Sequence, residues 1–172
     1  MTAINYDDPT AVGQLIDTIE IQQELLQFAS FTNDDAIRLG NILVRLAQER
    51  GYPISIDIHR GDAQLFFASL NGSIPDREHW LTRKRAAVMR FGESSYLVGL
   101  RYRIKGELIE DVPTLDPNVY AGHGGCFPIT VIGVGIIGTV GVSGLAQDED
   151  HDLAVEAVSK FLGRSAIEPM DK

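Results

Sequence analysis

Two stretches of the chain carry residue types able to do chemistry. The first is AGHGGCFP, residues 121–128, where His123 stands among Gly122, Gly124 and Gly125 with Pro128 just beyond. Glycines permit backbone angles and close approaches that side chains forbid, and proline fixes its own. Such a loop turns against something: a ligand, a neighbouring subunit or the chain's own sheet. An imidazole there is uncrowded, and the loop's N–H groups are donors for an anion. The second stretch follows Pro75, where Arg83, Lys84, Arg85 and Arg90 gather on one predicted helix of an otherwise acidic chain. Trp80 and Lys84 are four apart, so one helical face carries an indole and a cation together. An apolar wall beside a fixed cation is what a small anionic organic ligand requires. The alternative readings are a solvated charged face, core packing or an interface.

Other strings imitate known motifs without their context. GVGIIG, residues 133–138, matches G-x-G-x-x-G, but a dinucleotide site needs a helix to follow, and TVGVSG follows instead. HGG at His123 is similar to an esterase oxyanion loop. The nucleophile elbow would need glycine two places after Ser143, where Leu145 stands. Cys126 near His123 has the types of a thiol nucleophile, and a small residue packed beside a turn explains it better. His59, His79, His123 and His151 have no close paired spacing for zinc. His151 follows Asp148, Glu149 and Asp150, which reads as capping and dipole complementation.

Positioning these residues takes one ordinary domain, read as residues 1–172 with flexible ends at 1–10 and 165–172. The net charge of −9 opposes a generic nucleic-acid or anionic-membrane surface. The single cysteine allows no internal disulfide and suits a reducing, cytoplasmic setting. The opening MTAINYDDPT has no basic or apolar signal region. Phe127 to Ala146 is uncharged and long enough to span a bilayer, but five glycines and short β-branched runs make it two strands.

Asp8-Pro9 starts a helix with Val12, Leu15, Ile16 and Ile19 inward. Glu24 to Phe31 reads as that helix's end or as a first strand. Thr32 and Asp35 form a capping box for a helix that Gly51 stops. Ile54, Ile56 and Ile58 alternate with Ser55, Asp57 and His59 as a half-buried strand, and Gln64 to Leu70 returns beside it. Pro75 opens the helix of Trp80. Ser94 to Ile104 fits helix or strand equally. Ile129–Ile132 and Ile136–Val142 form a second hairpin, and Asp148 caps a last helix that Gly163 ends. Hairpins give antiparallel neighbours, and amphipathic helices must cover the sheet.

QELLQFASF, DDAIRLG, WLTRK followed by RFGESSYLVGL, AGHGGCFPI and GTVGVSGLAQDEDHDL together resemble the YBR-type branch of the HbpS/GlcG/PduO-C-like family, over roughly Ile19 to Leu162. The resemblance implies an α/β (α+β) domain of profilin-like form: an antiparallel sheet of about five strands with helices on both faces. It also implies a dimer-based homo-oligomer in the cytoplasm. Relatives in the wider family bind haem, and some are assigned its degradation; eukaryotic members suggest a protein-targeting or scaffold role with a protein partner. The signature positions present are Trp80, Arg83, Lys84, Ser94, Ser95, His123, Gly124, Gly125, Pro128, Ser143, Asp150 and His151. The expectation is a binding domain for a small anionic, partly apolar ligand, haem or another tetrapyrrole foremost, with no nucleic acid and no membrane. On that reading His123 is the axial ligand of the iron, Arg83 and Lys84 hold carboxylates, and Trp80 is the stacking wall. No complete catalytic set is visible.

Overall fold

The computed structural model describes residues 4–164. Its elements run α1 (Pro9–Leu25), α2 (Asn33–Arg50), β1 (Ser55–Arg60), β2 (Ala63–Ser69), α3 (Asp76–Phe91), α4 (Ser95–Arg103), β3 (Cys126–Val131), β4 (Gly135–Ser143) and α5 (Gln147–Leu162), with a 3-10 turn at Ile109–Asp111. Of the expected flexible ends, residues 1–3 and 165–172 lie outside the described residues. Tyr6 is bonded to Tyr96, and Pro9 already belongs to α1.

The sheet has four antiparallel strands in the order β2-β1-β4-β3, against the five expected. The segment that read as helix end or first strand explains the difference. α1 continues to Leu25, and only Phe28 reaches the sheet, as a single parallel bridge to Val131. Its N–H donates to the Thr130 carbonyl at 2.8 Å, and its carbonyl accepts from Ile132 at 2.9 Å.

The two faces of the sheet differ in chemistry because strand residues alternate sides. One face presents Ile56, Ile58, Phe127, Ile129, Val140 and Val142 to Leu39 and Leu43 of α2 and Leu153, Ala157 and Val158 of α5. That is the main core, where each buried aliphatic side chain contributes about 1.5–3 kcal/mol. The other face carries Asp57, His59, Thr139, Gly141 and Cys126 in register. Helix α3 covers it with Leu81, Lys84, Ala87 and Val88 inward. Helices therefore lie on both faces, as expected. A second cluster joins Val12, Leu15, Ile16 and Ile19 of α1 to Tyr96, Leu97 and Leu100. The stretch that fitted helix or strand equally is α4, because it must lie between α1 and α3.

Two expectations about α5 need correction. Its N-cap is Ala146, whose N–H donates to Glu149 at 3.3 Å. Asp148 sits inside the first turn, where a carboxylate complements the dipole but does not cap. His151 is 1 % exposed and caps nothing. Its Nε2 meets Gln22 Oε1 at 2.9 Å, and its ring packs near Tyr96 and Phe127. Burial pushes its pKa down to about 3, so the imidazole is neutral.

Candidate functional site

A cleft of about 280 Å³ opens between α3, α4, the α4–β3 loop and the start of α5. Helix α3 supplies Trp80 and Arg83, and α4 supplies Tyr96, Leu100 and Arg103. The loop adds Leu108, Ile109, Glu110 and His123, and α5 contributes Gln147. The walls are largely apolar, and the polar groups converge at a few points, as in small-molecule sites generally.

Arg83 lies over the Trp80 indole, 4.6 Å from the ring centroid. Its Nε is buried with no hydrogen-bond partner, and among the described residues the side chain makes no ion pair. Trp80 is fixed by donating from Nε1 to Asp76 at 3.1 Å. Its ring stands at 87° to the His123 imidazole, 5.1 Å away. Nε2 of His123 is engaged by Glu110 Oε1 at 3.0 Å. Arg103 also makes no ion pair among the described residues; its guanidinium lies 5.2 Å over the Tyr6 ring. The Tyr6 and Tyr96 hydroxyls share a 2.6 Å hydrogen bond. Burial pushes the Tyr96 hydroxyl far above its ordinary pKa, so it stays protonated.

The structure thus brings Trp80, Arg83 and His123 together and separates the other expected site residues from them. Lys84 is not a ligand partner. It is 3 % exposed and donates to Asp150 Oδ2 at 3.0 Å and to the Val142 carbonyl at 3.1 Å. The reason is helical phase: Trp80 lies between the two, with Lys84 on its sheet-facing side beside Leu81 and Val88, and Arg83 on its other side, facing the cleft. Asp150 also accepts from the Leu145 N–H at 3.0 Å and the Gly144 N–H at 3.3 Å, yet burial holds its carboxyl above the usual range.

Ser94 and Ser95 lie behind the cleft. Ser94 caps α4 by accepting from Leu97, and its N–H meets Gln23. Ser95 Oγ donates to the His123 carbonyl at 2.6 Å and accepts from the Cys126 N–H at 3.1 Å, which pins the glycine loop. Gly124 and Gly125 are buried and serve packing rather than a ligand. A Cβ on Gly124 would lie 1.9 Å from the Gln147 carbonyl, and Gly125 has φ near +120°. Helix α4 meets the loop equally closely, since a Cβ on Gly99 would lie 1.8 Å from the Gly122 carbonyl. Of the remaining signature positions, Pro128 is in β3, and Ser143 ends β4.

Sequence reasoning missed Arg103, Glu110 and Tyr96. Arg103 lies in the stretch whose periodicity fitted two structures, which left its face unassigned. Glu110 reaches His123 only through the loop's path, and nothing in its spacing shows this.

Haem does not fit this cleft whole. The volume, about 280 Å³, lies just below the roughly 300–1,000 Å³ typical of small-molecule sites. Nε2 of His123, one of the two ring nitrogens able to meet an iron, already holds Glu110. Among the described residues no group of three or more His, Cys, Asp or Glu side chains is placed to hold a metal ion. No helix among them is long and apolar enough to cross a membrane.

Comparison with known proteins places these features in a family. Residues 31–159 match the family described as haem degrading protein HbpS-like. A UPF0303 protein of Streptomyces coelicolor is 56% identical over 145 residues, covering 84% of this chain and 92% of the relative. The crystal structure of Ybr137w superposes with a TM-score of 0.80 at 28% identity, covering 91% of this chain and 96% of that one. A PduOC–heme complex superposes at 0.66 with 14% identity, covering 81% and 99%, a likeness of fold alone. A protein called HbpS gives 0.62 at 21%, covering 80% and 94%, again the fold alone. The chain belongs to the HbpS-like family, on its UPF0303 side.

Proposed function

We propose that the protein binds a small, partly apolar organic anion in the cleft between Trp80, Arg83 and His123. The observation that carries this is Arg83. In a chain of net charge −9, a guanidinium stacked on an indole has a buried Nε and no anionic partner among the described residues. Buried polar groups are ordinarily satisfied, and the guanidinium, free of any ion pair among the described residues, is available to an acceptor entering the cleft. Arg103 on the same cleft gives a second cation, which takes the role sequence reasoning assigned to Lys84. A local pair of cations outweighs the diffuse negative charge because salt screens beyond about 8–10 Å. We place the binding unit in a dimer-based homo-oligomer, which light scattering tests.

Trp80 is the only tryptophan, so intrinsic fluorescence reports on the cleft. Benzoate should change it saturably, and Arg83→Met should abolish the change while retaining the circular dichroism spectrum. An unaltered response in Arg83→Met would overturn the assignment. The family's description as haem degrading and the fold likeness to a PduOC–heme complex make haem the competing ligand, which here would have to lie across the mouth of the cleft. The scaffold reading draws on one observation: Ile132 and Val134, 59% and 72% exposed, project at the tip of the β3–β4 turn.

A further inference from the structure

A cleft for anions has no obvious use for a carboxylate, yet Glu110 lines it. Its Oε1 accepts from His123 Nε2, and its side chain is 31% exposed, so the carboxylate remains reachable. A carboxylate repels a simple anion and attracts a ligand that brings a hydrogen-bond donor. The arginines come from helices α3 and α4, whereas Glu110 comes from the loop. The Trp80–Arg83 stack presents a flat surface, and Leu100, Leu108 and Ile109 form apolar walls. Flat surfaces of this kind favour flat partners.

We infer that the ligand is an aromatic carboxylate bearing a hydroxyl or amino donor away from the carboxylate, with Glu110 the residue that reads the donor. This rests on the anion-site reading of the same cleft. Arg83 and Arg103 take the carboxylate, the ring lies against the stacked indole and the aliphatic wall, and the donor reaches the free lone pairs of Glu110. His123 positions Glu110 by holding one of its oxygens. The arrangement selects against plain anions such as phosphate, which meet the same carboxylate and have no ring to bury.

The test is a Trp80 fluorescence titration with benzoate, 4-hydroxybenzoate and 4-methoxybenzoate. A hydrogen bond to a charged group predicts that 4-hydroxybenzoate binds roughly tenfold or more tightly than 4-methoxybenzoate. In Glu110→Ala that preference should collapse towards unity, and benzoate should bind more tightly because a like charge has gone. Glu110→Gln keeps an acceptor and a partner for His123, and should retain part of the preference even if the alanine variant folds poorly. Equal affinities in the parent protein, or a preference unchanged in both variants, overturn the inference and leave the anion site standing. No response to any of the three carboxylates overturns the anion site itself.

Discussion

Replacing Lys84 with methionine should strip a buried carboxylate of its counter-ion. Lys84 and Asp150 side chains are each 3% exposed and meet at 3.0 Å. Removing one member of a buried pair typically costs about 3–5 kcal/mol. Asp150 keeps its bonds from the Leu145 and Gly144 N–H groups, so the lower end applies, about 3 kcal/mol. For a domain of this size that is a fall of about 6–12 °C in Tm. The sign with pH follows from the Asp150 carboxyl, which burial already holds above the usual carboxylate range and Lys84 pulls back down. Without Lys84 it rises further. A carboxyl whose pKa is raised in the folded state loses stability as pH rises from the ordinary carboxylate range through the folded value. The deficit should therefore be larger near pH 8 than near pH 5. Urea unfolding followed by circular dichroism at both pH values measures it. Adding Asp150→Asn should recover at least about 1 kcal/mol, the mark of a coupled pair. A deficit under about 1 kcal/mol, or one equal at both pH values, would refute the account of a desolvated ion pair.

Four further outcomes are expected. Gly99→Ala should destabilise by about 3 kcal/mol, although alanine favours helices, because its Cβ would meet the Gly122 carbonyl; a stabilised variant would show that α4 and the loop can separate. His151 resists protonation when folded, so its contribution is present above about pH 6.5 and falls by about 1.4 kcal/mol per unit towards pH 3; His151→Gln should flatten that part of the acid-unfolding profile. Burial pushes the Cys126 thiol up to about 12, so iodoacetamide should label it only as fast as the protein opens, and rapid native labelling would contradict its place between sheet and helix. Hemin titration should give the same spectrum in His123→Ala as in the parent; loss of a Soret band in the variant would make His123 an iron ligand and void the fit argument.

The sequence exposed its elements where local chemistry decides them. The Thr32–Asp35 box and the Gly51 and Gly163 stops appear where their spacing placed them, and β1 forms on its isoleucine alternation but is buried on both faces rather than half-buried, because α3 covers Asp57 and His59. Residues whose role depends on tertiary direction were not legible. Lys84 and Arg83 are adjacent and chemically alike, yet one is buried against Asp150 and the other lines the cleft. Only the phase of α3 against the sheet separates them. The glycine loop had three open readings, and its glycines turn out to admit α4 and α5 to the backbone. His123 keeps its place in the cleft, but through Glu110, a residue thirteen positions away whose approach no periodicity records.

The single bridge at Phe28 bears on how copies of the chain can associate. Together with Pro128, which has no N–H to offer, it occupies the outer side of β3. At the opposite end of the sheet, β2 reads AQLFFAS, without charge or proline, and no described strand covers its outer side. In the language of polymer chemistry the molecule is monofunctional: one edge is end-capped and the other reactive. Association through backbone pairing consumes that one edge in both participants and terminates, since neither can then add a third. By backbone pairing at its described edges, such a sheet can couple once and has no second open edge from which to continue.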